Sequence, residues 1–240
     1  MFLACAAGCF SDARVYHAAE RAFPVPIAGG ECAKLAHLPK TVGESRLDRL
    51  SAVDYQALRA GAVVLEADGF GEKVLQLADG RILKLFRRKR LLSSALYYPY
   101  ARRFADNAHK LAAIGVPVPA VEQVWRIPSL ARDAVLYAPL PGISLRKLQQ
   151  ESLSAERRQA LRLALSRLVA KLFDHGMIFR SLHTGNVIVM PDGELGLIDF
   201  SDMRFYPWSL GRTLRQRGVR KMLATEGEWL DTAIVFQCAH

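Results

Sequence analysis

The sequence predicts an α+β fold in which a strand-rich half precedes a helix-rich half. Short apolar runs separated by turn residues fill 62–86 and 121–137, and the clearest helical period comes later, over 154–176. The segment Pro-Leu-Pro-Gly at 139–142 stands between them, and prolines and glycines mark such connectors. With 240 residues, 51% of them hydrophobic, the chain can form a sizeable core. A cleft between the two halves is where we expect a ligand.

Three strands are predicted at the start of the first half, over 62–65, 73–77 and 81–86. Asp79-Gly80 separates the last two and suits a hairpin turn, because these residues tolerate the positive φ that such turns require. Side chains alternate across a strand, so Lys84 should share a face with Ile82 and Phe86.

A helix is predicted over 101–114, ending at Gly115, and the prolines at 117 and 119 favour extended backbone after it. Two further strands are predicted near 121–127 and 134–137. In the second half, leucines at 161, 165, 168 and 172 form one helical stripe. Ser154 is a suitable N-cap for this helix and Gly176 a suitable stop.

A loop over 180–186 follows, and then a hairpin of two strands, 187–189 and 195–198, which leads into Asp199. The last forty residues are basic and mostly compatible with helix. Residues 1–50 show no clear period, so we expect a poorly structured extension there. The predicted domains are this extension, an N-terminal lobe over 51–138 and a C-terminal lobe over 139–240.

The formal net charge of +10 is unevenly distributed, with nine Lys or Arg against one acid between residues 81 and 110. Such a block suits phosphate, anionic lipid headgroups or nucleic acid, and a solvated basic face is the alternative. The four cysteines show no zinc-site spacing, and we expect reduced thiols in a cytosolic protein. No apolar run approaches the ~20 residues needed to span a bilayer.

The most informative pattern is FRSLHTGN at 179–186, followed by DFS at 199–201. It resembles the catalytic loop H-R-D-L-x-x-x-N and the D-F-G motif of the protein-kinase-like superfamily. The resemblance implies a two-lobed fold that binds ATP, with Asn186 and Asp199 as the ligands of Mg²⁺. The alternative is that both are ordinary polar residues at the ends of a hairpin.

Three other segments resemble parts of the same superfamily. Lys84 resembles the strand lysine that contacts the α- and β-phosphates of ATP. Gly69 and Gly71 resemble a shortened glycine-rich loop, although valine stands at the third glycine position. Tyr137 and Pro139 resemble the hinge, where main-chain groups would meet the adenine. A simple β-turn is the alternative for the glycines, and a lysine that reaches solvent is the alternative for Lys84.

The superfamily also places a glutamate on the helix after the lysine strand, where it holds the lysine. The corresponding position here falls near Phe104, and Asp106 is the one acid in the predicted helix, so Asp106 is the candidate substitute.

Within the superfamily, the sequence is most similar to bacterial lipopolysaccharide core kinases and toluene tolerance proteins. The similarity lies in Gly-Val-Pro-Val-Pro at 115–119, in the segment at 139–142 and in a basic tail comprising Arg212, Arg215, Arg217, Arg220 and Lys221. It implies transfer to a sugar or lipopolysaccharide-type hydroxyl, or to a protein Ser or Thr, with an envelope glycolipid as a candidate acceptor. A cytoplasmic location follows, with peripheral contact with the anionic inner membrane as a further option. For the tail, a solvated helix face is the alternative.

The sequence departs from the family at Ser181, which stands in place of the catalytic aspartate. A serine hydroxyl is a poor base, and loss of a general base typically costs about 10²–10⁴ in rate. His183 is a candidate to act nearby, or else it packs against the loop, and Asp202 is another carboxylate close in sequence. Two hypotheses follow: a phosphotransferase with altered base chemistry, or a non-catalytic ATP-binding pseudokinase. A nucleic-acid binder lacks a recognised motif.

Overall fold

A six-stranded sheet dominates the first half of the computed structural model, which describes residues 47–87 and 98–237. Its strands lie in the order β1-β5-β6-β4-β3-β2, and all neighbours are antiparallel except β1 and β5. The strands are β1 (Asp48–Arg49), β2 (Val63–Asp68), β3 (Gly71–Gln76), β4 (Ile82–Arg87), β5 (Ala120–Ile127) and β6 (Arg132–Ala138).

Alternation along β4 divides the packing of this sheet between its two faces. Leu83 and Leu85 belong to a small core with Tyr55 of helix α1 (Ala52–Arg59). Phe86 packs on the other side against the main core, to which Phe104 of helix α2 (Tyr100–Ala113) contributes. Lys84 follows the same alternation, so its side chain is on the α2 side of the sheet.

The second half is mainly helical, with short strands between the helices. Strands β7 (Ile143–Ser144), β9 (Val187–Val189) and β10 (Leu195–Leu197) form one small sheet, and β8 (Met177–Ile178) pairs with β11 (Arg204–Phe205). The helices are α3 (Leu145–Leu148), α4 (Ala155–Asp174), α5 (Arg212–Glu226) and α6 (Thr232–Val235). Single 3₁₀ turns occupy Pro128–Leu130, Thr184–Asn186 and Gly227–Trp229.

Helix α4 follows its sequence signals closely. Its four-leucine stripe is buried, and the hydroxyl of Ser154 accepts a hydrogen bond from the backbone N–H of Arg157. The helix ends at Asp174, and Gly176 adopts a φ of +71° just beyond it. A side chain at Gly176 would lie within 2.2 Å of the Tyr206 carbonyl oxygen, so both the conformation and the space require glycine.

The two halves are joined by close backbone contacts with the β9–β10 hairpin. Gly142 has a φ of +127°, and a Cβ there would lie 2.2 Å from the carbonyl oxygen of Val189. The N–H of Leu197 donates to the Pro117 carbonyl at 2.9 Å. The segments at 139–142 and 115–119 therefore pack directly against the hairpin that leads to Asp199.

The predicted α+β fold, with strands first and helices afterwards, is confirmed. Residues 1–46 of the predicted extension lie outside the described residues, whereas β1 and the buried Leu50 belong to the first sheet and its core. The lobe boundaries at residues 50 and 138 stay predictions. Within 47–87 and 98–237, no helix combines the length and apolar character needed to cross a bilayer.

Candidate functional site

An ion pair joins the two halves of the chain at the centre of the candidate site. The Lys84 ammonium donates to Oδ1 of Asp199 at 2.6 Å. The Lys84 side chain is 15% exposed and that of Asp199 is 48% exposed, so the carboxylate faces open space while the lysine is largely enclosed. Asp199 also has a φ of +54°, an uncommon conformation that Asp tolerates better than most residues. Residues held in such conformations often lie at functional sites.

The surroundings keep the Asp199 carboxyl ionised. Although the Asp199 side chain borders the open cleft, desolvation by the protein packed around it is the largest single influence on its pKa, and this favours the neutral acid. The charge of Lys84 and its hydrogen bond outweigh burial, with smaller contributions from His183 and Lys73, and together they hold the pKa of Asp199 below its ordinary value. Asp199 is therefore an anion near neutral pH.

A cleft of about 350 Å³ opens beside this ion pair. Its walls come from the β2–β3 loop, from β4 and β6, and from the start of α2. Four cations and three carboxylates line these walls, and two of the cations are paired there, Lys73 with Glu66 and Lys84 with Asp199. A cleft that offers both cations and carboxylates suits a phosphate ligand that carries a divalent cation.

The β2–β3 loop is tied to the sheet by two arginines. The Arg132 guanidinium donates to the carbonyl oxygens of Phe70 and Glu72, the latter at 2.6 Å, and it is only 8% exposed. The Arg87 guanidinium lies 3.7 Å from the centre of the Phe70 ring. Gly69 and Gly71 flank Phe70, and Gly71 has a φ of +105° that favours glycine. The predicted glycine loop is therefore held over the cleft, and Arg132 is a contributor that the sequence patterns did not reveal.

The loop before β9 brings Asn186 to the same end of the hairpin as Asp199. The N–H of Ile198, the residue before Asp199, donates to the carbonyl of Asn186, the residue before β9, at 3.0 Å. The Asn186 side-chain amide nitrogen donates to the Ser181 carbonyl at 2.9 Å, so its amide oxygen remains an acceptor.

Amide and carboxylate oxygens suit Mg²⁺, which usually takes one or two protein ligands together with phosphate oxygens and water. Within the described part of the chain, no cluster of three or more His, Cys, Asp or Glu side chains could hold a metal by itself. Of the two predicted metal ligands, Asp199 lines the cleft, whereas Asn186 is 7% exposed and is not among the lining residues.

Ser181 has an acidic partner. Its hydroxyl donates to Oδ2 of Asp202 at 2.6 Å, although the two residues are 21 positions apart. The other carboxylate oxygen, Oδ1, is buried without a hydrogen-bond partner among the described residues. The sequence offered only the proximity of Asp202 to the D-F-G position as a signal for this contact.

His183 belongs to the same loop and is close enough to Asp199 for their charges to interact. Burial is the main influence on the ring, and the positive charge of Arg146 adds to it, so the pKa of His183 is lowered from its ordinary value. Nearby, Glu226 accepts hydrogen bonds from the Thr184 N–H at 2.7 Å and from Arg146 at 3.0 Å. These contacts fix the loop, and a catalytic role for His183 stays a prediction.

Asp106 does not hold Lys84, so the suggested substitution for the family glutamate is wrong. Its carboxylate accepts hydrogen bonds from the Tyr98 hydroxyl at 2.6 Å and from Arg102 at 3.2 Å. Phe104 occupies the expected glutamate position instead, with the Lys84 nitrogen 5.9 Å from its ring centre. Asp199 is the carboxylate that pairs with Lys84.

Phe104 forms the centre of an aromatic stack behind the ion pair. Its ring lies 4.5 Å from that of Phe200 and 5.4 Å from that of Tyr137, measured between centroids. The stack connects the residue after Asp199 with the end of β6. Tyr137 and Pro139 are half-buried at this end and are not among the residues that line the cleft, and their contact with adenine stays a prediction.

Comparisons with known proteins add little to this geometry. No family model matches the sequence, and no curated protein matches it. One solved structure that resembles it is that of the bifunctional kinase-methyltransferase WbdD, with 20% identity and a TM-score of 0.41. The match covers 63% of this chain and 33% of that one, so this chain spans about a third of the length of WbdD. A similarity this weak assigns no function.

Proposed function

We propose that this chain is a kinase-like phosphotransferase that binds ATP and Mg²⁺ between two lobes. The observation that carries the proposal is the contact between Lys84 and Asp199, which joins β4 of the first half to the end of the β9–β10 hairpin in the second. This contact brings together a cation for phosphate and an ionised carboxylate for a metal, beside an open cleft lined by both cations and carboxylates. Phosphoryl transfer depends chiefly on such positioning and charge stabilisation.

Each residue then has a definite task. Lys84 contacts the α- and β-phosphates, and backbone N–H groups near Gly69 and Gly71 approach the phosphates closely. Asp199 and the amide oxygen of Asn186 would hold Mg²⁺. The metal, when bound, neutralises charge that develops on the phosphate oxygens. Main-chain groups near Tyr137 and Pro139 receive the adenine.

The proposed acceptor is a hydroxyl of a sugar or lipopolysaccharide-type glycolipid, with a protein Ser or Thr as the other option. Helix α5 supports a location at an anionic surface, because Arg212, Arg217, Arg220 and Lys221 are exposed on it. Arg215 differs, since it is buried. The proposed location is cytoplasmic, in peripheral contact with the inner membrane.

A second candidate is a non-catalytic ATP-binding pseudokinase that acts as a switch or scaffold. Ser181 favours it, because this residue stands at the place of the catalytic aspartate and a serine hydroxyl is a poor base. Both candidates require the same Mg-ATP site, and they differ in whether phosphate leaves it.

An acceptor screen separates the two candidates. The protein is incubated with Mg-ATP and a cell-envelope extract, and products are detected by the mass of an added phosphate. Transfer that is lost in Lys84→Ala supports the phosphotransferase. ATP binding without transfer supports the pseudokinase, and the absence of any nucleotide effect contradicts both.

A further inference from the structure

We propose that Asp202 receives the proton of the acceptor hydroxyl through Ser181, so that these two residues together replace the missing catalytic aspartate. The inference rests on the proposed phosphotransferase function. Ser181 is the residue that contacts the acceptor, and Asp202 is a positioning residue that acts through it.

The direction of the hydrogen bond defines what Ser181 can do next. A hydroxyl has one proton and two lone pairs, and Ser181 donates its proton to Oδ2 of Asp202 at 2.6 Å. The lone pairs remain, so a further partner of the Ser181 oxygen must be a donor. An approaching hydroxyl acceptor is such a donor, whereas a phosphate oxygen is not.

Only one of the two carboxylate oxygens of Asp202 has a hydrogen-bond partner among the described residues. Oδ2 has the Ser181 hydroxyl, but Oδ1 is buried and lacks a hydrogen-bond partner within residues 47–87 and 98–237. A purely structural carboxylate would normally have both oxygens paired, because a buried polar atom without a partner is costly. Such exceptions are found at catalytic positions.

Both residues are held firmly relative to the nucleotide site. The Ser181 carbonyl accepts a hydrogen bond from the side-chain amide of Asn186, a proposed metal ligand, at 2.9 Å. The Phe200 carbonyl, two residues before Asp202, accepts a hydrogen bond from the side-chain amide of Asn107 at 2.8 Å. The Phe200 ring also stacks on Phe104 of α2. Asp202 is therefore two residues beyond an anchored position and three beyond Asp199.

The proton and the electrons balance in the proposed step. The O–H bond of the acceptor breaks, and its proton passes to the Ser181 oxygen as the Ser181 proton passes to Oδ2 of Asp202. The acceptor oxygen forms a bond to the γ-phosphorus, while the bond from that phosphorus to the β–γ bridging oxygen breaks. The electron pair of the broken bond leaves with ADP. Ser181 ends as a neutral hydroxyl and Asp202 as a carboxylic acid, which then returns its proton to water.

The test compares wild-type protein with Asp202→Asn and with the double variant Ser181→Asp/Asp202→Asn. Asn keeps the shape of the side chain but cannot take a proton, whereas Asp at position 181 restores a carboxylate at the acceptor. Asp192→Asn, in the exposed β9–β10 turn, is the matched control. Mg-ATP affinity is measured by calorimetry, and ATP hydrolysis is measured with water as the acceptor.

We expect Asp202→Asn to keep Mg-ATP affinity within about threefold of wild type and to lose about 10²–10⁴ in hydrolysis rate. The double variant should hydrolyse ATP at least about tenfold faster than Asp202→Asn. A purely structural role for Asp202 would not produce this recovery. Wild-type hydrolysis by Asp202→Asn would overturn the inference alone. A wild-type protein that binds Mg-ATP but neither hydrolyses it nor transfers phosphate in the acceptor screen would overturn the inference together with the phosphotransferase and would support the pseudokinase. Failure of the wild type to bind Mg-ATP would overturn both candidate functions.

A second readout needs neither nucleotide nor activity. The side-chain carboxyl ¹³C resonance of Asp202 is identified by its loss in Asp202→Asn. The inference requires it to move on Ser181→Ala, because the hydroxyl that donates to the carboxylate is then removed. An unchanged resonance would overturn the inference.

Discussion

Lys84 and Asp199 are 115 positions apart in the chain, yet the lysine nitrogen lies 2.6 Å from a carboxylate oxygen of Asp199. The helix that would supply a glutamate for this lysine presents Phe104 instead. Because Asp199 is 48% exposed, solvent screens the pair and limits its contribution to stability. We infer that the pair serves to position both charges at the cleft.

Replacement of Lys84 should separate binding from stability. Lys84→Met is expected to change the free energy of unfolding by no more than about 1 kcal/mol, as for other partly exposed ion pairs. A charge-assisted hydrogen bond to phosphate is worth about 1.5–3 kcal/mol, so Mg-ATP affinity should fall by about ten- to a hundredfold. Calorimetry and urea denaturation measure the two quantities. Lys110→Met, at an exposed position of α2, should bind normally, and equal affinities in both variants would contradict the proposal.

The aromatic stack should be a major source of stability. Phe104 is 1% exposed between Phe200 and Tyr137. Phe104→Ala is expected to cost about 3–5 kcal/mol of unfolding free energy, because it leaves a cavity in a packed core. Val53→Ala, at a side chain that is 78% exposed, should change stability by less than about 0.5 kcal/mol. Denaturant unfolding curves test this difference, and similar midpoints for the two variants would contradict it.

Arg215 should stabilise the C-terminal helices, in contrast to its neighbours in the basic tail. It is fully buried and donates to the carbonyls of Leu210 at 2.7 Å and Gln237 at 2.8 Å, and it is paired with Asp174. Arg215→Met leaves the buried Leu210 carbonyl without its donor, and such a loss costs about 1–3 kcal/mol, so the variant should unfold more easily than wild type. The exposed Arg217→Met should stay within about 0.5 kcal/mol of wild type. Thermal melting of the two variants side by side measures the contrast, and equal losses would refute the structural role of Arg215.

His183 should make stability depend on pH. Burial, followed by the charge of Arg146, lowers the pKa of His183 in the folded protein below its ordinary value of 6.5. As the pH falls below 6.5, the unfolded chain therefore binds more protons at this residue than the folded one does, and stability decreases. His183→Asn should reduce this decrease and leave the pH dependence above about 7.5 unchanged. Urea denaturation across this pH range tests it, and an identical slope in the variant would exclude the effect.

Local sequence signals predicted the elements of the fold well. The apolar alternation of β4 placed Lys84 on the correct face, and the leucine stripe and the N-cap Ser154 identified α4. The motif resemblance predicted that Lys84 and Asp199 belong to one site, and their side chains form an ion pair. The place of Asn186 as a second metal ligand stays a prediction. These features depend on short-range periodicity, which a single sequence carries.

The remaining features depend on long-range contacts. Nothing in the local pattern showed that Ser181 would meet Asp202 or that Arg132 would hold the β2–β3 loop. The prediction for Asp106 failed for a geometric reason. Residues two apart on an α-helix, with its 3.6 residues per turn, point to nearly opposite sides, so Asp106 faces away from the side on which Phe104 meets Lys84.

The proposed Mg-ATP site is best tested by a calorimetric titration of ATP, with and without Mg²⁺, into wild-type protein and Asp199→Ala. Asp192→Asn, in the turn at the opposite end of the same hairpin, is the matched control. We expect Mg²⁺-dependent binding to wild type and to Asp192→Asn, and at least about tenfold weaker binding to Asp199→Ala. Failure of wild-type protein to bind ATP with Mg²⁺, or equal binding by Asp199→Ala, would contradict it.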